Sequence, residues 1–325
     1  MIISRTPFRV SLAGGGTDLP DFYRESGGCV TALTITKYMY ITVNKRFDHT
    51  LRVGYSQMEL VNTVDELQHP LVRTALKHTG LVNGLEVTSM ADIPAQTGIG
   101  SSSSFMVGLL NALYAYKGEH ASAERLAREA CQMEIDMLKE PIGKQDQYIA
   151  AYGGLRFIEF NPDETVFCNP IIVSPATRDE LMRHLQMYYT GMTRPAASVL
   201  KEQKANTEMN RQALKEMCEQ ARQIRDTLLK GRHLVSIGDI LHQGWMLKRK
   251  LARSVTNDVI DRYYETALEA GALGGKILGA GGGGFLLLFV EPQNHEKVRK
   301  ALSELRQVEF GFEPQGSKII YVSDA

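Results

Sequence analysis

Four places in the sequence combine residue types that could do chemistry together. The densest is Pro94-Ala95-Gln96-Thr97-Gly98-Ile99-Gly100-Ser101-Ser102-Ser103-Ser104. Gly98 and Gly100 allow a backbone to turn close to an anion, and four consecutive hydroxyls add donors. If a helix begins at the serines, its free first-turn N–H groups and its dipole also point into this loop, which suits a polyphosphate. No Gly-Lys-Ser/Thr follows, so the lysine of an ordinary P-loop is missing, and a Ser-rich helix cap is the alternative. Glu134 and Asp146 are the second place. On neighbouring elements, one carboxylate would hold a divalent cation while the other orients or deprotonates a hydroxyl. A lone helical carboxylate more often has a solvated surface role.

The third place, Gly279-Ala280-Gly281-Gly282-Gly283-Gly284, satisfies G-x-G-x-x-G. That fingerprint must open a helix to bind a dinucleotide, whereas Phe285-Leu286-Leu287-Leu288-Phe289-Val290 reads as a buried strand. Glycines between two strands instead bring bare backbone against a ligand or another loop, unless they only close a hairpin. The fourth, Gly14-Gly15-Gly16-Thr17-Asp18 with Arg9 upstream, is equally compatible with a turn whose Asp caps a helix.

The elements that must position these residues follow from periodicity. Phe8 to Ala13, Val30 to Lys45, Leu51 to Tyr55 and Glu86 to Ile93 read as strands. From Ser102 to Tyr116 the period becomes 3.6, with Met106, Leu109, Leu110 and Leu113 on one face; a second helix, about Ala121 to Lys139, stops at Pro141. Strands follow at Leu155 to Phe160, Val166 to Val173 and within Arg183 to Thr190. A composition change near Ser174-Pro175 divides the chain into domains 1–174 and 175–325. A long amphipathic helix is expected from Pro195 to Lys230, with more helix to Ala270. Its Leu214, Met217, Ala221, Ile224 and Leu228 stripe is read as packing within its own domain, with a homodimer face as the alternative. Strand, helix and strand close the chain, giving an α+β fold.

The 325 residues balance 37 Lys+Arg against 37 Asp+Glu with 43% hydrophobic residues, which describes a globular protein with no basic field for nucleic acid or anionic lipid. The longest apolar run, Phe285 to Val290, is far below the roughly 20 residues of a membrane span, and the N-terminus has no secretory signal pattern; the expected location is the cytoplasm. Cys29, Cys131, Cys168 and Cys218 are scattered, so reduced thiols are expected rather than a disulfide framework or a zinc site.

Taken in order, Arg5 to Asp18, Pro94 to Ser104 and Lys276 to Gly284 resemble the three signature motifs of the GHMP small-molecule kinases, the superfamily of galactokinase, homoserine kinase and mevalonate kinase. The resemblance covers essentially the whole chain. It implies a two-domain fold, with an N-terminal ribosomal-protein-S5-like domain and a C-terminal ferredoxin-like α/β domain with added helices. The Gly-Gly-Gly-Thr-Asp-Leu-Pro form of the first motif, with Ile35 to Tyr40, His69 to Arg73 and Tyr189 to Arg194, is most similar to the D-glycero-D-manno-heptose 7-phosphate kinases and more distantly to fucokinase domains. Galactokinases carry an acidic residue and a histidine where Gly15 and Gly16 stand.

The resemblance implies that Pro94 and the segment Gly98, Ile99, Gly100, Ser101, Ser102, Ser103 and Ser104 wrap the phosphates of ATP, and that Ser102 and Glu134 hold Mg²⁺. Asp146 matches the catalytic base and Arg9 the residue that stabilises the transferring phosphoryl group. Asp18, Thr17, Gly16, Gly281, Gly282 and Arg194 fall on the acceptor side, where Lys37 and Arg156 are further basic candidates. The implied activity is transfer from ATP to the anomeric hydroxyl of heptose 7-phosphate, for nucleotide-activated heptose and surface polysaccharide. A kinase of an unphosphorylated sugar such as fucose and a non-catalytic ligand-binding relative are the alternatives. Glu134, Asp146 and Arg9 together argue for an enzyme.

Overall fold

The computed structural model describes residues 1–193 and 196–323. The strands are β1 (Ile2–Ala13), β2 (Gly28–Lys45), β3 (Leu51–Gly54), β4 (Met58–Val61), β5 (Leu85–Ala91), β6 (Leu155–Phe160), β7 (Val166–Pro170), β8 (Leu185–Tyr189), β9 (Ala272–Ile277), β10 (Phe285–Val290), β11 (Arg306–Gln307) and β12 (Lys318–Val322). The helices are α1 (Pro20–Ser26), α2 (Pro70–Thr79), α3 (Ser101–Tyr116), α4 (Ala123–Cys131), α5 (Gln145–Tyr152), α6 (Pro175–His184), α7 (Ala196–Ala205), α8 (Arg211–Lys230), α9 (Ser236–Leu251), α10 (Asp258–Glu269) and α11 (His295–Ala301).

An eight-stranded sheet runs β12-β1-β2-β5-β3-β4, with β6 attached to β2 and β7 to β6. The length of β2 explains the branching: Gly28 to Leu33 pair with β6, whereas Met39 to Lys45 pair with β5. Between these stretches, Thr36 donates its N–H to Gly311 and Glu313 donates its N–H to Thr34, so the C-terminal segment fills the gap. Because β12 pairs antiparallel with β1, the last strand returns to the first sheet.

The second sheet has the order β11-β8-β10-β9, all antiparallel. With helices between β8 and β9 and between β10 and β11, it follows the β-α-β-β-α-β ferredoxin-like pattern. Its central β10 is buried along its whole length. Successive side chains of a strand point to opposite faces. Phe285, Leu287 and Phe289 therefore share a cluster with the core of the first sheet, while Leu286, Leu288 and Val290 pack with Trp245 and Tyr264. The continuous apolar run in the sequence reflects these two covered faces.

Four expectations are corrected. The long helix from Pro195 is two helices, α7 and α8, separated by residues 206–210. Asn206 and Asn210 both donate their side-chain amides to the Leu251 carbonyl, and such competition from Asn side chains disfavours a helix interior. The second helix changes after α4 into a wider π-helical segment, Gln132–Met137. Cys29 and Cys218 are joined as a disulfide, Cα to Cα 5.4 Å, linking β2 to α8; only Cys131 and Cys168 are free. Scattered sequence positions concealed a pair brought together by packing. The Leu214 to Leu228 stripe packs not within residues 175–325 alone, as expected, but largely against the N-terminal part: its distal half joins the core cluster of the first sheet, and Leu214 and Met217 meet Phe22 and Leu251. No helix among the described residues is long and apolar enough to cross a membrane.

Candidate active site

β1 carries Arg9 into the junction of the sheet with α3 and α5. Its guanidinium is 3% exposed and grips Asp146 in a fork, Nε to Oδ1 and Nη2 to Oδ2 both at 2.7 Å, while Nη1 donates to the Gly98 carbonyl at 2.5 Å. The Arg9 N–H also donates to the Ile99 carbonyl, so the 94–100 loop is tied to β1 by backbone and side chain. Gly100 adopts φ +76°, and a Cβ there would lie 3.2 Å from Asp146 Oδ2 and 3.3 Å from Arg9 Cγ. A side chain there would adopt a strained left-handed backbone and crowd the ion pair, so glycine suits the position.

α3 begins immediately at Ser101, so the Ser-rich helix start is observed. Thr97 Oγ1 donates to the Pro94 carbonyl inside the loop, and Ser104 Oγ donates to the Pro7 carbonyl. Ser102 is exposed and donates to Glu134 Oε1 at 2.7 Å. Glu134, presented by the π-helical segment, is fully buried and accepts at Oε2 from Gln147 Nε2, also at 2.7 Å. Burial pushes its carboxyl up to about 7 against the hydrogen bonds that favour the charged form. Since Gln147 neighbours Asp146 on α5, Ser102, Glu134, Asp146 and Arg9 form one continuous constellation.

Asp18 fastens the Gly14–Asp18 turn to the start of α5. Its Oδ1 accepts from Gly16 N–H at 3.0 Å and its Oδ2 from Gln145 N–H at 3.2 Å. A Cβ on Gly143 would fall 2.0 Å from Asp18 Oδ2, so only glycine fits there. Burial, then the nearby Asp146 charge, raises the Asp18 carboxyl to about 6. Thr17 is buried, its hydroxyl bonded to the Gly14 and Cys29 carbonyls, and Gly16 turns at φ +95°.

The third glycine cluster packs against a loop. Cβ atoms on Gly98 and Gly284 would strike the Leu278 and Thr97 carbonyls at 2.4 and 2.3 Å. Gly281 faces Val255, and Gly282 donates its N–H to the Val255 carbonyl at 2.7 Å, which sets these two glycines beside the turn after α9. Arg156 is engaged by the carbonyls of Gly153, Cys168 and Tyr152. Arg194 lies outside the described residues.

A model of the GHMP kinases N terminal domain matches residues 63–154, and one of the GHMP kinases C terminal matches residues 224–307. The chain belongs to the GHMP kinase family. It is an ATP-dependent kinase with that family's two-domain fold, as the three motifs implied. This GHMP kinase is 29% identical to the D-glycero-alpha-D-manno-heptose 7-phosphate kinase of Campylobacter jejuni over 98% of each chain. It is 27% identical, over 92% of its length, to the bifunctional fucokinase/GDP-fucose pyrophosphorylase of Arabidopsis thaliana, of which it spans 31%. The crystal structure of a D-glycero-D-manno-heptose 1-phosphate kinase from Bacteroides thetaiotaomicron superposes with a TM-score of 0.83 at 25% identity, covering the whole of both chains.

Two buried lysines of the kinase were not singled out in the sequence. Lys248 on α9 donates to the Ile277 carbonyl at 3.1 Å and the Gly279 carbonyl at 2.5 Å, and Lys276 on β9 donates to the Leu12 carbonyl at 3.3 Å. Burial drives both amines down, Lys276 to about 7, with further lowering from neighbouring cations. Lys248 stands in the run Lys248-Arg249-Lys250 at a helix end, where basic residues usually face water and offset the dipole. The only sequence signal was its position three residues after Trp245 and four before Ala252, both buried.

Proposed function

We propose that this kinase transfers the γ-phosphoryl group of ATP to the anomeric hydroxyl of a heptose phosphate, D-glycero-D-manno-heptose 7-phosphate giving the 1,7-bisphosphate. The observation that carries the reaction type is the forked Arg9–Asp146 pair at the mouth of the 94–104 loop. The sugar class is supported by similarity along the full chain to the heptose kinases of Campylobacter and Bacteroides.

Phosphoryl transfer depends on positioning and charge stabilisation more than on covalent chemistry. In this reading Gly98 to Ser104 hold the ATP phosphates with first-turn N–H groups and hydroxyls. Asp146 accepts or orients the proton of the attacking hydroxyl, and Arg9 faces the charge developing on the transferred group. Asp18 and Gly16 line the acceptor side, while Thr17, fully buried with its hydroxyl on the Gly14 and Cys29 carbonyls, holds the turn in shape rather than touching the acceptor.

The donor set fits Mg²⁺. No group of three or more His, Cys, Asp or Glu among the described residues could hold a metal. Mg²⁺, however, commonly takes one or two protein oxygens and completes its shell with phosphates and water. Ser102 Oγ and Glu134 supply such oxygens, and the buried Gln147 Oε1 on the neighbouring residue lacks a partner. Bound there, Mg²⁺ would neutralise phosphate charge. In this reading a division near 174/175 would leave the phosphate loop and Asp146 in the first part and the third glycine loop in the second, with β12 crossing back to the first sheet.

The test is ADP release from MgATP with heptose 7-phosphate, heptose 1-phosphate, free heptose, mannose and fucose. Heptose 7-phosphate should be preferred over free heptose by at least about a hundredfold in kcat/KM, since two charge-assisted contacts to the phosphate contribute roughly 1.5–3 kcal/mol each. Turnover of heptose 1-phosphate would move the reacting hydroxyl away from C1, and a preference for fucose would replace the acceptor altogether.

A further inference from the structure

Four buried side-chain polar atoms among the described residues have no hydrogen-bond partner: Ser11 Oγ, Gln145 Oε1, Gln147 Oε1 and Trp245 Nε1. Buried polar atoms are nearly always paired, and an orphan in a site marks a place where something else supplies the partner. Gln147 already bonds Glu134, and Trp245 lies in the second core. Ser11 and Gln145 are different, because they meet at one point. A Cβ built on Gly15 would stand 4.0 Å from Ser11 Oγ and 4.0 Å from Gln145 Nε2, with nothing nearer.

Gly15 is therefore not required by its own packing. Its neighbour Gly14 is: a Cβ there would fall 2.0 Å from the Cys29 carbonyl, and Gly14 and Gly16 both have φ near +90° while Gly15 does not. What the missing side chain at 15 does is leave space flanked by a hydroxyl and a carboxamide. Ser11 lies two residues beyond Arg9 on β1, hence on the same face of the strand. Gln145 immediately precedes Asp146, and its N–H is held by Asp18.

We propose that Ser11 and Gln145 bind hydroxyl groups of the acceptor, with Gly15 as the opening that admits them. A hydroxyl that both donates and accepts, opposite a carboxamide that does the same, suits neighbouring hydroxyls of a polyol rather than an apolar or purely anionic group. The inference rests on the kinase reading and deepens it by naming residues that select a polyhydroxylated acceptor.

Ser11→Ala, Gln145→Leu and Gly15→Ala would be compared with the parent enzyme, using heptose 7-phosphate or whichever sugar of the panel turns over. Each should raise the acceptor KM by about tenfold, the equivalent of one neutral hydrogen bond or its exclusion. The KM for ATP should stay within about twofold. Ser11→Ala should melt at the parent's temperature, because the hydroxyl has no partner inside the protein to lose. An unchanged acceptor KM in both Ser11→Ala and Gln145→Leu overturns the assignment, as does an increase that falls equally on ATP. A parent that turns over no sugar removes the sugar-acceptor reading, and this role with it; a turning-over parent with indifferent variants removes this role alone.

Discussion

Arg9 and Asp146, 137 residues apart in sequence, meet through two parallel hydrogen bonds of 2.7 Å, with Arg9 at 3% and Asp146 at 23% side-chain exposure. A pair in this geometry fixes the carboxylate's orientation, and the loss of either partner leaves the other charge poorly compensated.

Asp146→Asn should lower kcat by about 10²–10⁴-fold, the range for removing a general base, while ATP binding changes by only a few-fold. Steady-state kinetics with nucleotide titration checks it; near-normal turnover would remove Asp146 from the proton-accepting role. Arg9→Lys should not restore a normal rate, since an ammonium cannot form the two-pronged contact.

Glu134→Gln should raise the Mg²⁺ concentration giving half-maximal rate by at least roughly tenfold, because a carboxamide is a poorer ligand for a hard cation and even supporting groups of metal sites contribute that much. Ser102→Ala should shift the same titration less. A metal dependence identical to the parent's in Glu134→Gln would place the cation elsewhere.

Lys248→Met should raise the KM for ATP by about tenfold or more while moving the acceptor KM less. Lys248 bonds the Gly279 carbonyl, and a Cβ built on Gly279 would lie 2.5 Å from Gly98 Cα, so the amine steadies the third glycine loop against the phosphate loop. Removing it leaves two carbonyls unsatisfied, at about 1–3 kcal/mol each. Equal KM values for parent and variant would show that the phosphate loop holds its shape unaided.

Asp18 gives a pH dependence. Its carboxyl sits at about 6 in the folded chain against an ordinary 3.8, so the folded state holds this proton more tightly than the unfolded one. Its contribution to folding stability is full below about pH 3.8 and is lost as pH rises through about 6, a change of at most about 3 kcal/mol. Thermal melts of the parent and Asp18→Asn between pH 4 and 7.5 should show the difference shifting in favour of Asn as pH rises. The variant loses part of its backbone hydrogen bonding at every pH, so the slope is the readout. A difference independent of pH would mean that Asp18 titrates as an ordinary carboxylate. With the parent, kcat/KM should fall as pH drops below about 6, where protonated Asp18 accepts hydrogen bonds poorly.

The local parts of this enzyme were legible along the chain. Glycine and serine spacing, followed by a 3.6-residue period, marked the phosphate loop and the start of α3; an apolar run after six residues containing five glycines marked β10. Both are readable because side-chain period and backbone freedom are properties of neighbouring residues. Glu134 and Asp146 were legible as residue types, and their convergence was implied by resemblance alone. Long-range packing set the rest: Asp146 pairs with Arg9, Cys29 joins Cys218, β12 returns to β1, and Lys248 turns inward from a basic run that resembles a solvated helix end. Ser11 and Gln145 were invisible for a related reason: whether a polar atom lacks a partner is set by every segment packed around it. The contacts of Arg9, Cys29, Ser11 and Gln145 join segments more than a hundred residues apart, and even the 29 and 31 residues between Lys248 and its carbonyl partners exceed the reach of a local period.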